Sequence, residues 1–168
     1  MSRERTFSLP GMTLAAQEWG EPGGEPILAL HGWLDNSATF NALAPLLPDT
    51  HIVALDLAGH GRSGHRAGVG PYNIWEDVSE LFEVADQLGW DRFSLLGHSR
   101  GGIIGMIAAG TFPERITRLA LIEALWPEVH QPQAAPRQLA RSILEMSALR
   151  SKPLSVYRDL ARAAKARA

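Results

Sequence analysis

LLGHSRGG, residues 95–102, carries an apolar run directly into a serine flanked by glycines. Residues 97–101 match the pattern G-x-S-x-G. A serine in this pattern stands on a sharp turn between a strand and a helix, and small residues beside it leave room for the strained backbone. The pattern therefore predicts Ser99 as a nucleophile. The predicted elbow around it consists of Gly97, His98 and Gly101.

Strand-like and helix-like segments alternate on both sides of this motif. Continuous apolar runs over residues 26–30 and 51–57 are typical of strands that are buried on both faces of a sheet. Helices are predicted over residues 36–47, 73–88 and 102–109. The predicted strands are residues 6–9, 13–19, 26–30, 51–57, 93–96 and 116–122. This alternation predicts an α/β fold with a mostly parallel sheet and helices on both faces.

The residues suited to chemistry follow the predicted strands. The segment His31-Gly32-Trp33 follows the third strand, residues 56–63 follow the fourth, Ser99 follows the fifth, and Glu123 ends the sixth. In parallel sheets, ligand sites lie beyond the carboxyl ends of the strands. We therefore expect these segments to converge on one active site.

Two backbone amides near Ser99 are candidates for binding an oxyanion. Preorganised N–H groups stabilise the negative charge that develops on an acyl oxygen, and a helix N-terminus also favours negative charge. We expect the amide of Trp33, after the third strand, and the amide of Arg100, after the nucleophile, to act in this way. The side chain of His31 is interpreted as structural, with a role as general base as the alternative.

Glu123 is the candidate for a carboxylate that orients a histidine. It ends the apolar run of the sixth predicted strand, where a buried carboxylate can hold an imidazole in position. The alternative is a solvent-facing or capping glutamate at a strand end. Asp56 is interpreted as a structural residue that binds loop amides, because the acid follows the serine along the chain in the Ser–acid–His order.

Three motifs together give the sequence a resemblance to a known family. In chain order they are His31-Gly32-Trp33, the glycine-rich run over residues 56–63, and the G-x-S-x-G motif around Ser99. On these motifs, residues 6–125 resemble the α/β-hydrolase superfamily, and most closely its bacterial members that are similar to serine hydrolase-like enzymes. The resemblance implies a Ser–acid–His triad, no cofactor, and hydrolysis of an ester or related acyl substrate. It also implies a helical cap inserted after the sixth strand.

Two features depart from the usual pattern of this family. Arg100 stands where many members have methionine or another apolar residue, so it brings a charge to the pocket. The triad acid usually follows the seventh strand, but one group of haloalkane dehalogenases has a glutamate in a segment resembling residues 122–125, and Glu123 is assigned on that basis. Dehalogenase and epoxide hydrolase activities are disfavoured, because those relatives have aspartate at the position of Ser99.

The catalytic histidine is the largest departure. Members of the family continue through the cap, two further strands and a late histidine, whereas none of the six histidines here follows a late strand. We therefore expect an N-terminal fragment of a hydrolase, with part of the core in residues 1–126. A linker and the beginning of a truncated cap occupy residues 127–168, with helices predicted over residues 137–149 and 154–166. Alone, the chain is expected to have little activity.

A non-catalytic role is the alternative interpretation of the same sequence. A truncated hydrolase fold can serve in binding or interaction. Missing strands leave a sheet edge with unpaired backbone groups, and such an edge favours self-association.

Composition disfavours several other classes of protein. The chain has no cysteine, and no two histidines have the i, i+4 spacing of a metal site, so we expect no metal. No run approaches the roughly 18 apolar residues of a membrane span, and the N-terminus lacks a signal-peptide pattern. We therefore expect a cytoplasmic protein that acts on a small acyl substrate, without a membrane partner. Residues 137–168 contain eight Lys or Arg and two acidic residues, which we interpret as a solvated helical face and not as a nucleic-acid site.

Overall fold

The computed structural model describes residues 2–67, 72–124, 132–150 and 156–166. The chain divides into two units, Met1–Val129 and His130–Ala168. The boundary predicted between residues 126 and 127 lies outside the described residues.

The first unit is built on a six-stranded sheet with the strand order β1-β2-β4-β3-β5-β6. Its strands are β1 (Arg3–Leu9), β2 (Met12–Gly20), β3 (Glu25–Leu30), β4 (Thr50–Leu55), β5 (Phe93–His98) and β6 (Ile116–Ile122). Strand β2 pairs antiparallel with β1 and with β4, and the remaining pairs are parallel. The mostly parallel sheet predicted from the sequence is therefore confirmed.

Helices lie on both faces of this sheet, as predicted. They are two α-helices, α1 (Ile74–Gln87) and α2 (Arg100–Thr111), and two 3-10 helices, Ser37–Phe40 and Ala44–Leu46. Residues of the two α-helices share a core cluster with Leu28, and residues of the 3-10 helices share a second cluster with Ala29. Neighbouring residues of a strand point to opposite faces, so these two clusters lie on opposite sides of the sheet.

The single helix predicted over residues 36–47 is wrong, because two short 3-10 helices occupy that segment. The first begins after Asn36, whose side chain accepts a hydrogen bond from the Ala38 N–H at 2.9 Å. The second contains Pro45. Proline has no N–H to donate to the residue four positions earlier, and its ring clashes with that carbonyl group, so a continuous α-helix is disfavoured here.

The second unit contains two α-helices, α3 (Ala135–Arg150) and α4 (Leu160–Lys165), after a 3-10 helix at Pro132–Ala134. Helix α4 is shorter than the predicted residues 154–166, because Asp159 accepts a hydrogen bond from the Arg162 N–H at 2.8 Å and caps the helix there. Residues 151–155 of that prediction lie outside the described residues. No helix in the described ranges has the length and apolar character that a bilayer span requires.

Strand β6 lies at one edge of the sheet and, among the described strands, pairs with β5 alone. Its residues Ala120 and Ile122 are aligned with Leu96 and His98 of β5, and both are exposed. Self-association through this edge stays a prediction.

A buried ion pair joins β2 to β4 at the end of the sheet opposite Ser99. His51 Nε2 lies 2.5 Å from Glu18 Oε1, and Arg5 Nη1 donates to the same oxygen at 3.0 Å. Burial by itself would raise the pKa of Glu18, but the hydrogen bond with His51 and the charges of Arg5, His51 and Arg3 hold this pKa below its ordinary value. The ionised carboxylate therefore contributes to stability at neutral pH.

Replacing Glu18 with glutamine is expected to lower the free energy of unfolding by about 2 kcal/mol near neutral pH. Because the pKa of Glu18 in the folded protein lies below its ordinary value of 4.5, this stabilisation is present above that value. It is lost as the pH falls through the folded pKa. Urea unfolding of the wild type and of Glu18→Gln at a series of pH values below neutral measures the difference, which should shrink on acidification.

The control for this series is Glu21→Gln, which changes an exposed carboxylate 3.8 Å from Arg3. Exposed ion pairs contribute little, so this variant should resemble the wild type at every pH. A difference between the wild type and Glu18→Gln that is the same at all pH values would contradict the prediction.

Candidate active site

Ser99 is the single residue between β5 and α2, and its backbone has a conformation that L-residues rarely adopt. Its φ is 49° and its ψ is −116°. The turn requires glycine on both sides: a Cβ atom on Gly97 would lie 2.5 Å from the Gly102 Cα atom, and one on Gly101 would lie 2.1 Å from the Leu30 carbonyl oxygen. The sequence motif thus has the sharp strand–helix turn predicted for it, with the serine at its apex.

Backbone hydrogen bonds fix this turn to its neighbours. The Ser99 N–H donates to the Ile122 carbonyl oxygen at 2.9 Å, which ties the turn to the end of β6. The Ser99 carbonyl oxygen accepts from the N–H groups of Gly102 at 2.9 Å and Ile103 at 3.1 Å. Helix α2 therefore begins at Arg100, two residues earlier than predicted, and Ser99 is its N-cap residue.

The loop after β3 lies against the serine. A Cβ atom on Gly32 would be 3.4 Å from the Ser99 Cβ atom and 3.1 Å from His98 Nδ1. Trp33 follows Gly32, and the guanidinium carbon of Arg100 lies 5.4 Å from the centroid of the Trp33 ring. The amide of Arg100 is in the first turn of α2, where N–H groups have no acceptor within the helix. The structure thus brings Trp33 and Arg100 together beside Ser99.

His31 is fully buried, and both of its ring nitrogens are engaged. Nδ1 lies 2.7 Å from the Gly32 carbonyl oxygen, and Nε2 accepts a hydrogen bond from the Leu57 N–H at 3.0 Å. Because Nε2 accepts this bond, the ring proton is on Nδ1, which donates a hydrogen bond to the Gly32 carbonyl oxygen. Burial lowers the pKa of His31 and favours this neutral ring. These contacts support the structural interpretation of His31 over the alternative of a general base.

Asp56 binds loop amides, which confirms the structural interpretation of this carboxylate. Its Oδ1 accepts from the Ser37 N–H at 2.7 Å, and its Oδ2 accepts from the Arg62 N–H at 2.8 Å. The Ser63 hydroxyl donates to the Asp56 carbonyl oxygen at 2.5 Å. Asp56 therefore connects the 3-10 helix after β3 with the glycine-rich loop after β4.

A family model described as alpha/beta hydrolase fold matches residues 25–146. The chain belongs to the α/β-hydrolase family. A human serine hydrolase-like protein is 46% identical over 121 residues, which are 71% of this chain and 60% of the human protein.

Two solved structures superpose over nearly the whole chain. A hypothetical protein from Pseudomonas aeruginosa PAO1 has a TM-score of 0.90 and 49% identity, and the match covers 98% of this chain and 58% of that one. The thioesterase domain from the curacin biosynthetic pathway has a TM-score of 0.81 and 27% identity, over 99% of this chain and 60% of that one. The chain therefore spans about 60% of the length of these relatives.

Within the described part of this α/β-hydrolase chain, no histidine is hydrogen-bonded to the hydroxyl group of Ser99. His60 Nδ1 lies 3.0 Å from the Ala58 carbonyl oxygen, and its ring packs edge-on against Trp33 at 5.4 Å. His65 Nδ1 lies 2.8 Å from the Tyr72 hydroxyl. His130 lies outside the described residues.

His98 lies against Gly32 of the loop after β3. Its Nδ1 is buried without a hydrogen-bond partner in the described part of the chain. Nearby, burial by itself would raise the pKa of Asp35, but hydrogen bonds from the Thr39 hydroxyl and the Asn36 N–H outweigh it. The pKa of Asp35 therefore lies below its ordinary value.

Glu123 lies next to the serine turn, but its side chain is exposed. It directly follows Ile122, whose carbonyl oxygen binds the Ser99 N–H, and its own φ is 49°. The sequence pattern suggested a buried carboxylate, and the structure shows a solvent-facing one among the described residues. The role of Glu123 as the acid that orients a histidine stays a prediction.

Sequence reasoning did not identify Asp77 of α1 as part of this region of the α/β-hydrolase fold. Asp77 is buried, and its Oδ2 accepts from Arg100 Nη2 at 2.5 Å. One signal was present in the sequence, since Asp77 falls three residues after Ile74 and four before Leu81, on the apolar stripe of the helix. A carboxylate in such a stripe requires a cationic partner, and Arg100 is one such partner of Asp77.

Proposed function

We propose that this chain carries the nucleophile of a serine hydrolase that acts on an ester or related acyl substrate. The observation that carries the proposal is the strained turn at Ser99, at the N-terminus of α2. Such a turn exposes the hydroxyl group and directs the first amides of the helix towards the same reacting centre. A structural serine has no need of this conformation, which costs about 1–3 kcal/mol.

In the proposed reaction, Ser99 Oγ attacks the acyl carbon while its proton passes to a base. The amides of Trp33 and Arg100 bind the oxyanion of the tetrahedral intermediate. The intermediate then expels the alcohol or thiol, which takes the proton, and leaves an acyl group on Ser99. Water hydrolyses this acyl-enzyme with the help of the same base.

The base is proposed to be a histidine that is not among the six of this chain, with Glu123 to orient it. This fits the contacts of the described histidines, none of which is hydrogen-bonded to the Ser99 hydroxyl group. Two comparisons support an acyl substrate, because the human relative is named a serine hydrolase-like protein and one structural relative is a thioesterase domain.

Added imidazole tests this proposal, because it can replace a missing histidine base. The 168-residue chain is mixed with p-nitrophenyl acetate, and release of p-nitrophenolate is followed with and without imidazole. Without imidazole, the chain should barely exceed Ser99→Ala. With imidazole, the wild type should exceed Ser99→Ala by about tenfold, since a positioned general base contributes roughly 100-fold or more and a diffusing one contributes less.

The matched control is Ser79→Ala, which removes an exposed hydroxyl group from α1 and should behave as the wild type. Equal rates for the wild type and Ser99→Ala in imidazole would contradict the nucleophile and favour a non-catalytic role. Full turnover by the wild type without imidazole would contradict the external base.

A further inference from the structure

Asp77 of α1 binds two arginines from different segments of the chain. Its side chain is 2% exposed. Oδ1 accepts from Arg66 Nη2 at 2.6 Å, and Oδ2 accepts from Arg100 Nη2 at 2.5 Å. Arg66 belongs to the segment between β4 and α1, and Arg100 is the residue after Ser99. One carboxylate therefore links this segment, α1 and the N-terminus of α2.

The first arginine, Arg66, has a guanidinium group that several other contacts hold in place. Arg66 donates to Glu80 from Nε at 2.5 Å and from Nη2 at 2.8 Å, and its guanidinium carbon lies 4.9 Å from the centroid of the Tyr72 ring. Burial by itself would lower the pKa of Arg66, but the bonds to Glu80 and Asp77 raise it, so the guanidinium stays charged. Asp77 therefore has a fixed partner on one oxygen, which limits where the other oxygen can hold Arg100.

The second arginine, Arg100, connects Asp77 to Trp33, the other residue of the proposed oxyanion site. The Arg100 guanidinium lies over the Trp33 ring at 5.4 Å, and this ring also packs edge-on against His60. Trp33 is 59% exposed, so few other contacts fix its position. Because Asp77 neutralises Arg100, this guanidinium is a poor site for an anionic substrate and is better suited to bracing the indole.

We propose that Asp77 is a positioning residue, which sets the amides of Arg100 and Trp33 through the Arg100 guanidinium. This inference rests on the proposed function, in which those two amides bind the oxyanion. Oxyanion donors work only at hydrogen-bond distance from the developing charge, and a displacement of about 1 Å can cost roughly 100-fold in rate. A brace attached to both donor residues is therefore suited to fixing their spacing.

The test compares Asp77→Asn with the wild-type chain. Asparagine keeps the shape of the side chain but removes the charge and turns an NH₂ group towards one arginine. We expect the backbone amide signals of Arg100 and Trp33 and the Trp33 indole N–H signal to shift in ¹H–¹⁵N spectra. Imidazole-assisted acylation of Ser99 should slow by about tenfold at saturating ester, with little change in the ester concentration that gives half the maximal rate.

The matched control is Asp86→Asn on the same helix, which breaks an ion pair between Asp86 and Arg115 that measures 2.6 Å. It should leave both the Trp33 signals and the acylation rate as in the wild type. A purely structural role of Asp77 would lower stability without moving the Trp33 signals or the rate at a temperature where the chain is folded. That result would overturn the proposal.

Arg100→Gln tests the same link from its other end, and it also serves if Asp77→Asn does not fold. Asp77 keeps Arg66 as a partner in this variant, so the fold should persist. The Trp33 signals should shift, and adding Asp77→Asn to Arg100→Gln should slow acylation less than it slows the wild type. Unchanged Trp33 signals, or fully additive effects, would overturn the proposal. If the wild type shows no Ser99-dependent acylation, the proposed function fails, whereas the spectra still decide whether Asp77 positions these residues.

Discussion

Replacing Gly101 with alanine is expected to destabilise the chain by about 4 kcal/mol or more. The new Cβ atom would lie 2.1 Å from the Leu30 carbonyl oxygen and 2.5 Å from the Leu30 carbonyl carbon, and both are backbone atoms of the central strand β3. A flexible side chain can move away from such a contact, whereas a central strand cannot do so without breaking its hydrogen bonds on two sides. Urea or thermal unfolding of the purified variant measures the loss.

Gly110→Ala is the control for this substitution, because Gly110 lies in the same helix and its added Cβ would meet no atom within 4 Å beyond its chain neighbours and the adjacent backbone of the helix. Alanine is favoured over glycine inside helices, so this variant should be more stable than the wild type by up to about 1 kcal/mol. The two alanines should thus act in opposite directions. A Gly101→Ala variant as stable as the wild type would show that α2 is not pressed against β3 as described.

Replacing Asp56 with asparagine is expected to lower the free energy of unfolding by about 3 kcal/mol. Both carboxylate oxygens accept from backbone N–H groups, one of Ser37 and one of Arg62. Asparagine has one acceptor oxygen, so its NH₂ group must face one of these N–H donors and leave it without a partner. The change in chemical denaturation midpoint at a constant m-value measures this effect.

Asp86→Asn again provides the comparison, because the Asp86 side chain is 64% exposed and its pairing with Arg115 is accessible to water. An exposed ion pair contributes about 1 kcal/mol or less, so the stability of this variant should stay close to that of the wild type. If Asp56→Asn and Asp86→Asn were equally stable, the two loops would not depend on the buried carboxylate.

The serine turn could be predicted from sequence because its requirements are local. A glycine on each side of Ser99, an apolar run before it and a helix after it all fall within a few residues. The mostly parallel sheet follows from similar signals, since strand-like and helix-like segments alternate along the chain. The helix predicted over residues 36–47 is wrong for an equally local reason, because Pro45 lacks the N–H that a continuous α-helix requires there.

The pairing of Asp77 with Arg100 could not be predicted in the same way. The two residues are 23 positions apart, and the contact exists because α1 and α2 lie on the same face of the sheet. In the sequence, each residue is unusual for its position. Asp77 is an acid on an apolar stripe, and Arg100 is a cation beside the nucleophile. The exposure of Glu123 likewise depends on what packs against the end of β6, which the residues of β6 do not specify.

The described residues hold the nucleophile of the candidate site firmly, but they do not hold its proposed acid and base in the same way. Glycine packing and backbone hydrogen bonds fix Ser99 between β5, β6 and α2, and Asp56 fixes the loops around it. The proposed acid and base have no such anchoring in the described residues. This division is consistent with a chain that spans about 60% of the length of its relatives.

Mapping the acetyl group after reaction with p-nitrophenyl acetate in imidazole tests the central claim most directly. Trypsin cleaves after Arg92 and Arg100, so Ser99 lies in the peptide over residues 93–100, together with Ser94 and His98. Fragmentation of this peptide in a mass spectrometer distinguishes the three side chains. The account predicts acetyl on Ser99, at a level that rises with imidazole and is absent in Ser99→Ala. Acetyl on His98 or Ser94, or an unmodified peptide from the folded chain, would contradict it.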